Sequence, residues 1–158
     1  MNNSNLTLEE QATNAATSEH IRTVQKFLHL VVKDLLDRAD AHDQSKLERP
    51  EVELFTKYTP MLASCTYGSA EYQQLLKDLK PALDHHYAKN SHHPEHYKNG
   101  ISDMNLLDLV ELFCDWKAAT LRHNDGNLRK SIEHNANRFG ISPQLVKILE
   151  NTAAMFDS

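Results

Sequence analysis

Apolar side chains recur every three and four residues along most of this chain, and that spacing admits little besides helices. Ile21, Val24, Phe27, Leu28, Val31, Val32 and Leu35 share one face of a helix expected from about Ser18, its cap, to Ala39. Tyr72, Leu75 or Leu76, Leu79, Ala82 and His86 repeat the stripe behind a Ser69 cap, in a helix that runs to about Tyr87 and bends or breaks at Pro81. From Ser102 or Asp103 to about Asn124, Leu106, Leu109, Phe113 and Trp116 cover one side and Leu107, Val110, Cys114 and Leu121 another. A helix apolar nearly all round is expected at the centre of a bundle. A short helix is expected over Ala39 to Leu47. Pro50 opens another near Glu51 to Tyr58, Asp125-Gly126 marks a turn, Gly140 ends a further helix and Ser142-Pro143 begins the last. No segment alternates with period two. The expectation is an all-α, single-domain helical bundle of about seven helices over residues 16–158, behind a flexible polar tail over residues 1–15.

Charge and composition narrow the partners. The formal net charge is −5, so there is no basic excess to neutralise phosphates, and duplex nucleic acid is not an expected partner. The spacing of the last two helices resembles a helix-turn-helix, but with this charge a plain helical hairpin is expected. No apolar run approaches the ~20 residues of a membrane span, and no secretory signal stands at the start. Cys65 and Cys114 are the only cysteines and lie far apart, which fits unpaired thiols in a reducing compartment. A cytoplasmic setting is expected, the host cytoplasm if the chain is phage-encoded. Oligomeric state is left open, a homo-oligomer included.

Five of the ten histidines fall between His85 and His96, in HHYAKNSHHPEH. His86 continues the buried stripe of its helix, whereas His85 lies a quarter-turn away at the rim. His20 points to the side of Phe27 and Val31 and is expected to be buried. His29 faces Arg22, Lys26 and Lys33 and is expected in solvent, as are His123 and His134. On the long helix Asp108, Glu111 and Asp115 fall at i, i+3 and i+7, between the two apolar faces. Buried carboxylates cost several kcal/mol unless paired or bound to a cation, and Arg122 is the only local counter-charge. His42-Asp43 offers a neutral nitrogen and an anionic oxygen from one helical turn. With His20, His86, His92-His93 and Asp115 it makes an ordered set of donors from separate elements. Imidazole with carboxylate favours zinc, iron or manganese over calcium, and the donors suffice for two ions.

The order H…HD…H…HH…D on a helical frame resembles the HD-domain superfamily of metal-dependent phosphohydrolases. The resemblance implies that His20, His42, Asp43 and Asp115 hold one metal, and that His86, His92 and His93 complete a second site with Asp43 bridging. Lys46 matches the lysine of the HD-x-x-K pattern in the cyclic-dinucleotide branch, where it lies near the phosphate. The Gly-Tyr-Pro signature of cyclic-di-GMP hydrolases is replaced by Lys98-Asn99-Gly100, so a cyclic dinucleotide is not expected. His96 is an alternative to His92 or His93, and Asp108 to Asp115. More narrowly, HDQSK, NSHHPEHY and MNLLDLVELFCDW are similar to a family of small phage and bacterial proteins labelled only as a domain of unknown function.

The resemblance implies a phosphohydrolase using one or two divalent ions (Fe, Mn, Zn, Co or Mg) on a small phosphorylated substrate, a nucleotide foremost. A metal-bound hydroxide attacks phosphorus in line. Lys46 or His96 neutralises charge on the phosphoryl oxygens. Glu111 orients a water or a ligand histidine, or forms a plain salt bridge, and Arg122 and Lys89 are candidate phosphate contacts. Asp43 is the residue on which both metal and turnover depend. Two other readings fit the same residues: a di-iron oxygenase on the HD frame, and a nucleotide- or protein-binding phage factor without turnover. No glycine-rich phosphate cradle narrows the substrate.

Overall fold

A computed structural model describes residues 6–65, 69–122 and 126–156. Its described residues form six α-helices and four short 3-10 turns, with no strand. The chain divides into two compact units, Met1–Asp40 and Ala41–Ser158. His123 and the Asp125 end of the expected turn lie outside the described residues.

The first unit is essentially one helix, α1 (Leu8–Ala41), whose final residue belongs to the second unit. It starts at Leu8 rather than Ser18 because Thr7 and Glu10 form a capping box. The Glu10 amide donates to Thr7 Oγ1 (3.2 Å) and the Thr7 amide to Glu10 Oε2 (2.7 Å). The apolar stripe read from the sequence is present, but it is not buried. Phe27 is 60% exposed and Leu28 57%, and His20 is exposed beside them. The expectation of a buried His20 is therefore corrected: a helix that is a unit by itself has no second layer within that unit to cover its stripe.

The second unit holds the cores. Its helices are α2 (Glu51–Ser64), α3 (Ala70–Lys89), α4 (Leu106–Thr120), α5 (Leu128–Phe139) and α6 (Pro143–Ala153). Leu112, Phe113 and Trp116 of α4 pack with Leu128 and Ile132 of α5 and with Leu149 and Ala153 of α6. Tyr58 of α2 packs with Leu75, Leu79 and Ala82 of α3. Each fully buried aliphatic side chain among them contributes ~1.5–3 kcal/mol. The Ser69 cap accepts from the Tyr72 amide (3.1 Å), the Ser142 cap from the Leu145 amide (3.3 Å), and Gly140 closes α5 at φ 62°.

Several expectations need correction. Of the bend or break expected at Pro81 the break is excluded, since α3 runs on through it, and α2 runs through Pro60 to Ser64 instead of stopping near Tyr58. The separate helix over Ala39–Leu47 is not formed. α1 ends at Ala41, Asp43 takes a left-handed conformation (φ 57°), and a 3-10 turn follows over Gln44–Leu47. The helix count among the described residues is six instead of about seven for that reason. Finally, α4 is not apolar-buried on all sides. Leu106 is 79% exposed and Val110 43%, and one face alone carries the core. That helix begins at Leu106, not Ser102, because Asn105 and Asp108 make a capping box there.

Candidate metal centre

Four segments of the second unit bring the donors together. His42 and Asp43 follow α1, His86 sits in the last turn of α3, His92 and His93 occupy the turn before Pro94, and Glu111 and Asp115 lie on α4. The left-handed backbone at Asp43 is the local device that ends the helix. Aspartate adopts that region more readily than most L-residues, because its short polar side chain can bond locally.

Asp43 is the hub. Its Oδ2 accepts from Lys46 Nζ (2.6 Å) and lies 3.5 Å from His42 Nε2. Its Oδ1 lies 3.3 Å from His86 Nε2 and 3.6 Å from His92 Nε2. Neither contact is a hydrogen bond: among the described residues, Asp43 Oδ1 and His92 Nε2 are buried side-chain atoms with no hydrogen-bond partner. Buried polar atoms are nearly always satisfied, so two facing orphans call for an explanation, and an unseen ion is one.

The other ring nitrogens show why these atoms are orphaned. His42 Nδ1 and His92 Nδ1 both lie 2.9 Å from Glu111 Oε1. A carboxylate only accepts, so both rings carry their hydrogen on Nδ1 and turn Nε2 inward with its lone pair. His86 Nδ1 lies 2.9 Å from Glu51 Oε2. Asn90 Nδ2 also approaches that nitrogen, but it donates to Ser45 Oγ (2.9 Å) and to the His86 carbonyl (2.8 Å). The Nδ1 hydrogen of His86 is therefore assigned to Glu51. His86 Nε2 then faces His93 Nε2 at 2.8 Å, close enough for one hydrogen between them, which a cation can replace. Carboxylates that hold the outer nitrogen of a ligand histidine fix its tautomer and raise its basicity.

Two groups of donors result, each with its ligand atoms within 4.8 Å of one another. Asp43, His86, His92 and His93 form a four-donor group. His42, Asp43 and Asp115 form a three-donor group that shares Asp43, with Asp115 Oδ1 3.9 Å from His42 Nε2. A third group, His42, His92 and Glu111, is already accounted for by the two hydrogen bonds to Glu111. The residues fit one or two divalent ions, because the orphaned oxygen and nitrogen point into the four-donor group. Nitrogen and carboxylate donors of this kind suit zinc, iron, manganese or cobalt.

Protonation follows the same layout. The bond to Glu111 raises the His42 pKa against the opposing effect of burial, with the Asp43 and Asp115 charges adding to the rise. Burial pushes Asp43 upward, but the hydrogen bond and charge of Lys46 outweigh it and hold the carboxyl below its usual range. Burial likewise opposes ionisation of Glu51, and the bonds from His85, Ser45 and His86 overcome it. His86 is lowered by burial and by Lys46. Burial, then the His92 and His86 imidazoles, press His93 down to about 3. His86 and His93 therefore keep their lone pairs available at neutral pH.

Of the residues named from the sequence, His42, Asp43, His86, His92, His93 and Asp115 are brought together as donors. His20 is not among them: it stands exposed on α1, twenty residues of continuous helix, or about 30 Å, before Asp40. Glu111 takes the histidine-orienting role. Lys46 lies on Asp43. His96 is exposed and its Nδ1 is bonded to the Tyr87 carbonyl (2.7 Å), outside both groups. Asp108 does not replace Asp115: it is fully buried and accepts from Ser91 Oγ (2.8 Å) and Tyr97 OH (2.7 Å). Arg122 and Lys89 are exposed, as are His29 and His134. Sequence reasoning missed Glu51, which is fully buried and also accepts from His85 Nδ1 (2.7 Å). The signal was there, since Glu51 begins the stripe Leu54, Phe55, Tyr58 and Leu62 on α2. Ser45 and Asn90 gave no comparable signal.

An all-helical chain with a buried histidine and carboxylate cluster fit for metal ions is the class that this geometry defines. The family of unknown function DUF5662 matches residues 9–155, and the chain belongs to that family. No curated protein and no solved structure matches it. Among the described residues, no helix is long and apolar enough to cross a membrane.

Proposed function

We propose that this protein is a metal-dependent phosphohydrolase of HD-domain type acting on small phosphate esters. The observation that carries the reading is the meeting of Asp43 Oδ1 with the inward nitrogens of His86 and His92, two of these three atoms being orphaned. Asp43, His86, His92 and His93 would hold one ion, and His42, Asp43 and Asp115 would hold a second whose smaller ligand set would leave room for water or substrate. When bound, the ions supply Lewis acidity and a water of lowered pKa.

The protein's own groups do the rest. Glu111 and Glu51 hold the imidazoles in one tautomer, so the ligand set needs no rearrangement of protons at those rings. Lys46 Nζ steadies Asp43 and leaves a fixed positive charge at the half-exposed rim, where phosphoryl oxygens gain from it. In the reaction a water oxygen bonds to phosphorus as the ester P–O bond breaks. One water proton ends on the departing alcohol and the other product is inorganic phosphate.

The test starts with elemental analysis of protein purified without chelator. A panel of aryl phosphates and nucleotides with Mn, Co, Zn, Mg and Fe follows. One or two ions per chain and ester hydrolysis are expected, both abolished in Asp43→Ala. A D43A protein with wild-type turnover overturns the proposal, as does oxygen consumption in place of phosphate release.

A further inference from the structure

We propose that a cavity lined by α3, α4, α5 and the turn at His93 selects monoesters whose alcohol is a small neutral polyol or sugar, with Asn135 as a specificity-determining residue. This rests on the phosphohydrolase reading. The cavity measures about 240 Å³ and lies wholly within the second unit. His93 and Asp115 form part of its wall, one from each donor group. A phosphoryl group held at the ions therefore has this space beside it for its alcohol.

The lining fixes what that alcohol is. Among the described residues, Arg138 is the one lysine or arginine in its lining, and its Nη2 is 2.6 Å from Glu95 Oε1. The guanidinium also covers the Phe139 ring, 4.6 Å from its centroid. A second phosphate or a carboxylate finds that cation already paired with Glu95. Hydroxyl groups meet a better match. Ser131, Asn135 and Arg138 fall at i, i+4 and i+7 on one face of α5, and Tyr87 lines the same cavity. Asn135 Nδ2 donates to the Ser131 carbonyl (3.0 Å) and hydroxyl oxygen (3.4 Å), which leaves Asn135 Oδ1 as an acceptor and the Ser131 hydroxyl hydrogen as a donor for a ligand. Trp116 adds a flat apolar wall. The volume is below the ~300–1,000 Å³ of common ligand pockets, which suits a body the size of a pentose or hexose and not a dinucleotide. The alcohol departs with the proton it gains from water, and the lining donors and acceptors hold its remaining hydroxyls.

The experiment uses the metal-loaded full chain and compares p-nitrophenyl phosphate, glycerol phosphate, ribose 5-phosphate, glucose 6-phosphate, a sugar bisphosphate and a nucleoside monophosphate. The sugar monophosphates are expected to lead the nucleoside monophosphate in kcat/KM by about tenfold. Asn135→Leu is expected to lower the ratio of sugar-phosphate to aryl-phosphate kcat/KM by about tenfold, mainly through KM, with metal content kept. Ser131→Ala, a smaller change, is expected to move the ratio the same way if the leucine fails to fold. If no ester is hydrolysed, the phosphohydrolase reading fails and takes this one with it. If p-nitrophenyl phosphate is hydrolysed but the nucleotide or the bisphosphate is preferred, or neither variant moves the ratio, the cavity inference alone is overturned.

Discussion

Replacing Asp43 with asparagine separates what this residue does for the fold from what it does for a cation. In the wild type, Oδ1 is buried without a partner, which costs ~1–3 kcal/mol. An asparagine can keep its oxygen on Lys46 Nζ, where the carboxylate now sits at 2.6 Å. Its amide nitrogen then takes the place of Oδ1 and donates to His86 Nε2 or His92 Nε2, now 3.3 and 3.6 Å away. Asparagine tolerates the left-handed backbone at φ 57° as well as aspartate does. The loss is an ion pair to a partly exposed lysine, worth ~0–1 kcal/mol. In chelator, Asp43→Asn is therefore expected to be as stable as wild type or more so, by up to ~2 kcal/mol. With zinc at a hundredfold excess over its Kd, the wild type gains ~2.7 kcal/mol, while the variant, lacking the shared anionic ligand, gains far less. Urea unfolding with and without metal reads both quantities, and the order of the two proteins should reverse between conditions. A variant that loses more than ~2 kcal/mol in chelator, or that gains as much from zinc as the wild type, would refute the assignment of Oδ1 to a cation.

Glu51→Gln leaves His86 without its anionic acceptor and is expected to weaken metal binding ~10–100-fold, measured by competition with a chromophoric chelator. In chelator, stability should fall as pH drops from 6.5, since unfolded His93 takes up a proton there while folded His93 waits until about 3. The slope from this residue approaches ~1.4 kcal/mol per pH unit. His86, also lowered, adds to the loss, and the lowered Asp43 and Glu51 add theirs below about pH 4. His42, raised, works the other way: its contribution is present at low pH and is lost as pH rises through its folded pKa. A urea midpoint unchanged between pH 7 and 4.5 contradicts this balance. Ile132→Ala, at a site 1% exposed, should cost ~2–5 kcal/mol by the same unfolding measurement.

The helical stripes, the Ser69 and Ser142 caps and the Gly140 stop were readable because each depends on neighbours within a turn or two. The grouping of His42, Asp43, His86, His92, His93 and Asp115 was readable for a different reason: the order of imidazoles and carboxylates along separate helical segments resembles a metal-ligand pattern, and the structure brings these six together as candidate donors. His20 failed on a non-local point. Its wheel position follows from α1 alone, but whether that face is covered depends on which elements share its unit, and periodicity carries no such information. Glu51 failed because a carboxylate beside a helix-opening proline reads as a favourable N-terminal charge, although it also heads an apolar stripe. Asp43 shows the limit from the other side. Its chemistry was legible, whereas the left-handed turn that aims it was not, since His42 to Leu47 scans as ordinary helix.

Charge decides how many ions such a cluster needs. Asp43, Glu51, Glu111 and Asp115 bring four formal negative charges and Lys46 one positive, so with neutral imidazoles the sum is −4 + 1 = −3. His93 is held neutral down to about 3 and His86 is lowered as well, so these two rings do not offset the charge, whereas His42, raised by its bond to Glu111, offsets part of it where it is protonated. One divalent ion leaves the cluster at −1, which still repels a phosphate ester. Two bring it to +1, which attracts one. The four-donor group should fill first, having the orphaned atoms and one more ligand, while the Asp43 oxygen that lies 3.5 Å from His42 Nε2 is the one Lys46 already holds. Titrating metal into chelator-treated protein should therefore show a first equivalent that raises the unfolding temperature with little turnover. A second, weaker equivalent should bring the proposed phosphatase activity. Full activity at one ion per chain would mean that the three-donor group is not part of the working site.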